Sequence, residues 1–131
     1  MGGSHAPGLT LDTGALLAFE ARDRKVSALI QRAKDLGRPV VIPAGVLAQA
    51  WRGRGPRQAR LAILLAAPIV RVQDLTRNQA QAVGELCARA GTTDVVDASV
   101  VVTAWTNGRL VITSDAEDLT HLDPTLQLVR V

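Results

Sequence analysis

Tyrosine is absent from this chain of 131 residues, and Phe19, Trp51 and Trp105 are its only aromatics. That excludes readers of nucleic acid that stack bases on an aromatic platform. Cys87 stands alone, so no internal disulfide forms. It reads as a small hydrophobe buried in a helix, in a reducing cytoplasm. His5 and His121 are isolated in the sequence, which leaves no zinc-ligand spacing. No apolar run approaches the ~18 residues needed to span a bilayer, so a membrane-spanning helix is excluded. Residues 1–8 are small and polar, without the apolar stretch of a signal peptide. They read as a disordered or cloning-derived leader, with 9–131 as a single domain. One domain is also what a length of 131 residues predicts. With 47% hydrophobic and 21% charged residues the composition is globular.

Charge is scarce in one sense and uneven in another. Between residues 36 and 73 there is no acid, yet Arg38, Arg52, Arg54, Arg57, Arg60 and Arg71 fall there. Between 94 and 123 the balance reverses: Asp94, Asp97, Asp115, Glu117, Asp118 and Asp123 face Arg109 alone. Arginine's planar fork suits phosphate. The split fits an anionic polymer on one surface and a cation in an acidic pocket on another. A solvated surface with chance clustering is the plainer alternative.

Short apolar strands alternate with helical periodicity. Strands are predicted at 9–11, 39–42, 68–72, 110–113 and 126–131, the last at an edge. Helices are predicted at 15–22, 24–36, 43–51, 57–66, 76–90 and 94–106, with a short one at 114–121. Val26, Leu29, Ile30, Ala33 and Leu36 mark the buried face of the second helix. Gly37, Gly91 and Asn107-Gly108 are expected stops. Ser114 and Glu117 carry capping-box spacing. Continuous apolar strands separated by helices mean a parallel sheet covered on both faces, a flavodoxin-like or Rossmann-like three-layer domain. The first βα turn, Asp12-Thr13-Gly14-Ala15, lacks the glycine pattern that cradles a nucleotide phosphate. It also lacks the second aspartate, two residues on, that a doubly wound phosphatase needs.

In open α/β sheets, ligands bind beyond the carboxyl ends of the strands. Asp12 directly follows the first strand, and Asp115 follows the fourth by two residues. Asp94 and Asp97, at i and i+3, share a helical face. Each has a local explanation as a helix cap or first-turn acid. Together, four carboxylates on one rim would repel and raise each other's pKa values. A divalent cation relieves that, and an all-oxygen donor set favours Mg²⁺ or Mn²⁺.

Leu9-Thr10-Leu11-Asp12-Thr13-Gly14-Ala15-Leu16-Leu17 resembles the opening of PIN domains. Thr93-Asp94-Val95-Val96-Asp97-Ala98 resembles the central aspartate motif of VapC-type toxins. Val111-Ile112-Thr113-Ser114-Asp115 resembles their third acidic motif. The resemblance runs from Leu9 to Val131 and implies a three-layer α/β/α PIN-like domain with a mainly parallel five-stranded sheet. It implies a Mg²⁺-dependent endoribonuclease, the toxin of a type II toxin–antitoxin pair, cytoplasmic and homodimeric, with RNA as substrate and an antitoxin protein as partner. Asp12, Asp97 and Asp115 would hold the metal, with Asp94 bound directly or through water.

The family places a Glu on the helix after the second strand, where this chain has Gln49. An amide offers an oxygen but neither a charge nor a base. Gln49 therefore favours the alternative of a non-catalytic RNA-binding or protein-interaction module. Arg52, Arg54 and Arg57 are the expected phosphate contacts, and Thr13 and Ser114 are expected to orient water or a phosphate oxygen. Capping is the local alternative for the two hydroxyls. Leu16, Leu17, Leu47 and Trp51 read either as plain core or as apolar anchorage for an antitoxin tail.

Overall fold

The computed structural model describes residues 8–107 and 109–131. The leader expected over 1–8 lies outside these, apart from a buried Gly8 whose carbonyl accepts the Leu110 N–H at 3.3 Å. Gly108, expected with Asn107 to stop a helix, also lies outside them.

Among the described residues twelve elements follow in the order β1 (Leu9–Leu11), α1 (Thr13–Glu20), α2 (Arg24–Asp35), β2 (Val40–Pro43), α3 (Ala44–Ala50), α4 (Pro56–Ala66), β3 (Val70–Gln73), α5 (Arg77–Ala90), α6 (Val95–Thr106), β4 (Leu110–Thr113), α7 (Ala116–Leu122) and β5 (Gln127–Arg130). Most bounds lie within two residues of the sequence expectation. The sheet runs β3-β2-β1-β4-β5, and every pairing is parallel.

The chain winds outward from β1 through β2 to β3, then returns to place β4 on the other side of β1. Right-handed crossovers in opposite directions put α1 to α4 on one face and α5 to α7 on the other. The result is a three-layer α/β/α sandwich. The order reverses between β1 and β4, and that switch is where an open parallel sheet leaves a crevice at its carboxyl edge.

Leu9, Leu11, Val40, Ile42, Val111 and Ile112 fill the middle of the sheet and are 5% exposed or less. α6 is buried on all sides from Ala98 to Ala104, as befits a helix apolar all round. Its β-branched valines fit a helix only because the sheet and α5 enclose them, so packing overrides propensity. Cys87 is buried, as expected. Gly91 ends α5 in the left-handed region at φ 69°.

Two sequence expectations fail locally. Leu36 is 50% exposed, because α2 ends before it and turns it off the buried face. The capping box at Ser114–Glu117 does not form: Asp115 takes the N-cap position of α7, without a side-chain cap bond.

A candidate acidic site at the switch of the sheet

Asp12 leaves β1 at the crevice and is 3% exposed. One carboxylate oxygen accepts the Ala15 N–H at 2.8 Å, capping α1, and the other accepts the Thr113 hydroxyl. The Thr113 Oγ1 in turn accepts the Asp115 N–H at 2.7 Å. One threonine at the end of β4 thus couples the carboxylate after β1 to the backbone carrying Asp115. Burial raises the Asp12 pKa above the usual carboxylate range, and the Asp115 charge adds to it, while bonds from Thr113, Ala15 and Ser114 oppose it.

Asp97 enters from the first turn of α6. Its carboxylate oxygen and those of Asp115 and Asp118 all lie within 4.8 Å of one another. Asp94 caps α6, accepting the Asp97 N–H at 2.9 Å. Thr92, Asp94, Asp97, Asp118, His121 and Leu122 line a depression of about 160 Å³. His121, isolated in the sequence, is exposed and bonded to the Ala90 carbonyl at its edge.

The structure therefore brings Asp97 and Asp115 together, keeps Asp12 and Asp94 next to them as capping acids, and adds Asp118. The i, i+3 step from Asp115 to Asp118 is the spacing that flagged Asp94 and Asp97, and it was the available signal for Asp118. The last acid of the stretch from 94 to 123, Asp123, points elsewhere. It accepts from Thr125 and from the Trp105 indole at 2.7 Å, and the Thr125 bond leads in lowering its pKa.

Burial, followed by the charges of Asp94, Asp115 and Asp118, pushes the Asp97 pKa up to about 7. A hard divalent cation suits three converging carboxylates held in this way, since it supplies the charge they lack. The folded state binds this proton more tightly than the unfolded chain does. Asp97 therefore favours folding at acid pH, and its contribution is lost as pH rises from about 4 to about 7. In chelator, Tm should fall between pH 5 and pH 7.5. Added Mg²⁺ should raise Tm more at pH 7.5 than at pH 5, as scanning calorimetry at each pH would show. An equal Mg²⁺ effect at both pH values would rule out these carboxylates as the binding groups.

Gln49 is exposed, and its side-chain oxygen accepts the Thr13 hydroxyl. It stands between the acidic rim and a second cavity of about 300 Å³, whose lining includes Arg52, Arg54 and Arg57. Ser114 does not cap α7; its side chain fills the space above Gly14, where an added Cβ would lie 1.6 Å from Ser114 Oγ. Leu16 is fully buried and supplies no anchorage, because α1 turns it into the core. Leu17 and Trp51, at 39% and 41% exposed, remain accessible.

The model of the PIN domain family matches residues 9–123. The chain belongs to the PIN domain family. No curated protein matches this sequence. Among solved structures, VapBC2 from Rickettsia felis bound to a promoter DNA fragment is similar at TM-score 0.69 and 14% identity, over 94% of this chain and 98% of that one. VapC20 from Mycobacterium tuberculosis, a sarcin-ricin loop cleaving toxin, is similar at 0.66 and 20%, over 95% and 100%. FitAcB from Neisseria gonorrhoeae is similar at 0.62 and 18%, over 93% and 96%. At these identities the likeness establishes the fold. In this PIN domain the switch between β1 and β4 carries the acids, and Gln49, the polar residue of α3, is bonded to Thr13, the residue after Asp12.

Proposed function

We propose that this PIN domain is a Mg²⁺- or Mn²⁺-dependent endoribonuclease, the toxin of a toxin–antitoxin pair acting in the cytoplasm. The observation that carries the reading is the convergence of Asp97, Asp115 and Asp118 within 4.8 Å beside the buried Asp12. Asp97, Asp115 and Asp118 would hold the cation, with Asp12 and Asp94 adjoining. When bound, the cation supplies a water acidified toward neutral pH and charge neutralisation at phosphorus.

The chain's own residues do the rest. Thr113 holds Asp12 in one orientation. The Ala15 and Ser114 amides stabilise its charge. Arg52, Arg54 and Arg57 bind the backbone phosphates of the RNA beside the site, so affinity should fall as salt rises. An antitoxin that carries a basic residue into the acidic depression would compete with the cation. Acidic residues on that tail would meet the arginines, and apolar ones would meet Leu17 and Trp51. Homodimerisation belongs to the same reading.

A second reading, a non-catalytic RNA-binding or protein-interaction module, is favoured by one observation: Gln49 brings no charge where the family has a Glu. Incubating RNA with the protein, with and without Mg²⁺, separates the two. Metal-dependent cleavage supports the nuclease. Binding without cleavage supports the module. Gln49→Glu keeps an oxygen for the Thr13 hydroxyl and adds a charge next to Asp12. It should tighten Mg²⁺ binding roughly tenfold and raise cleavage at limiting Mg²⁺. A metal-titrated thermal shift reads the first effect. No change in either would mean that the existing aspartates already saturate the site.

A further inference from the structure

The three arginines around the second cavity stand on or beside a connection with no core packing. Every residue from Trp51 to Arg57 is exposed. Gly53 and Gly55 hold left-handed φ values of 81° and 95°, so the path of the chain is specific without being fixed by burial. Gln58, one residue later, is 7% exposed. Its Oε1 accepts the backbone N–H groups of Arg52 and, at 2.9 Å, of Gly53. Its Nε2 donates to the Glu20 carboxylate at the end of α1 and, at 3.2 Å, to the Ala50 carbonyl at the end of α3. Two acceptor and two donor positions exhaust an amide. The arrangement admits one orientation, because two N–H groups demand an oxygen and a carboxylate with a carbonyl demands an NH₂.

Around this hub, Arg57 Nε lies 4.0 Å from Glu20. Arg60 donates to the Phe19 carbonyl at 2.9 Å and stacks on its ring at 4.5 Å. These bonds staple the first turns of α4 to α1, while Arg52 donates to the Trp51 carbonyl at 2.8 Å, and Arg52, Arg54 and Arg57 all line the cavity.

We infer that Gln58 is a positioning residue: it fixes the Trp51–Gly55 connection so that Arg52, Arg54 and Arg57 meet a single-stranded RNA backbone without prior ordering. This rests on the nuclease reading above. Gln58 also lines the cavity, but its amide is spent on the Arg52 and Gly53 N–H groups, Glu20 and Ala50, and it is not among the residues of the acidic depression. Without it the connection must be ordered during binding, and that cost falls on affinity. The acids that carry the chemistry follow β1, stand at the start of α6, and lie in the β4–α7 turn and the first turn of α7, outside this connection, so the saturated rate is independent of it.

The test compares parent and Gln58→Met by fluorescence anisotropy with a short labelled single-stranded RNA in chelator, and by cleavage kinetics in Mg²⁺. Kd and KM should rise roughly tenfold with kcat unchanged. The slope of log Kd on log salt should flatten by about 0.7 for each RNA phosphate that an arginine no longer neutralises. Amide exchange at Arg52 and Gly53 should quicken in Gln58→Met and stay slow in Glu20→Gln, which keeps an acceptor facing Nε2. If Gln58→Met does not fold, Gln58→Asn, too short to reach both the connection and Glu20, should move the same readouts the same way. A folded variant with the parent's Kd and salt slope overturns the inference. If the parent binds no RNA, the nuclease reading falls separately. The amide exchange then decides the positioning: faster exchange upholds it and unchanged protection overturns it.

Discussion

Asp97→Asn should abolish Mg²⁺-dependent RNA cleavage while leaving the fold intact. Asn matches Asp in shape and can still fill the first turn of α6. What it removes is the charge at the centre of the group that Asp97 forms with Asp115 and Asp118. Cation stabilisation of a developing phosphate charge is worth several kcal/mol, so the rate should drop by at least about a hundredfold. Chelator should mimic the variant in the parent, and Mn²⁺ should restore the parent but not the variant. Growth arrest on expression should disappear with cleavage. In chelator near neutral pH the variant should be at least as stable as the parent, because a carboxylate with a pKa raised to about 7 opposes folding there. Undiminished cleavage by a folded Asp97→Asn protein would end the metal-hydrolysis reading.

Gly14→Ala should destabilise the protein, although Gly14 lies inside α1. In an open helix the change would gain up to about 1 kcal/mol. Here the new Cβ would lie 1.6 Å from Ser114 Oγ and 2.7 Å from Ser114 Cβ. Rotating the hydroxyl relieves the first clash but not the second, so the start of α1 or the end of β4 must move. Overpacking of this kind costs about 1–3 kcal/mol, a Tm loss on the order of 5–10 °C. The same movement would loosen Asp12, whose bonds come from Ala15, Ser114 and Thr113, so Mg²⁺ affinity should fall too. Gly14→Ala combined with Ser114→Gly should regain most of the loss, a coupling of about 1 kcal/mol or more. A Gly14→Ala protein as stable as the parent, measured by chemical denaturation, would show that the two elements can separate freely.

The order of strands and helices was legible because each signal is local. Val26, Ile30 and Ala33 repeat at helical spacing, Val40 to Ile42 form a short apolar run, and Gly91 stops α5. Asp12 and Asp115 could be placed on one rim from the rule that ligands lie beyond parallel strand ends, and β1 and β4 are adjacent in the sheet. Leu16 was the converse case. Its neighbour Leu17 has the same chemistry, and only the packing of α1 on the sheet decides that one is buried and the other exposed.

The acids show the same division. Asp94, Asp97, Asp115, Asp118 and Asp123 are indistinguishable as residues. Which of them converge depends on where α6 and α7 set their first turns, and on the Trp105 indole and Thr125, which take Asp123 away. The sequence by itself determined the wound parallel sheet, the family motifs and the absence of an acid from α3, since composition and short periodicities carry these. Tertiary structure alone decided that Asp118 joins Asp97 and Asp115, that Ser114 closes over Gly14, and that Gln58 meets Glu20 38 residues away. The physical reason is that hydrogen bonds and like-charge clusters act over a few ångströms in space. Separation along the chain says nothing about that distance until the sheet has fixed it.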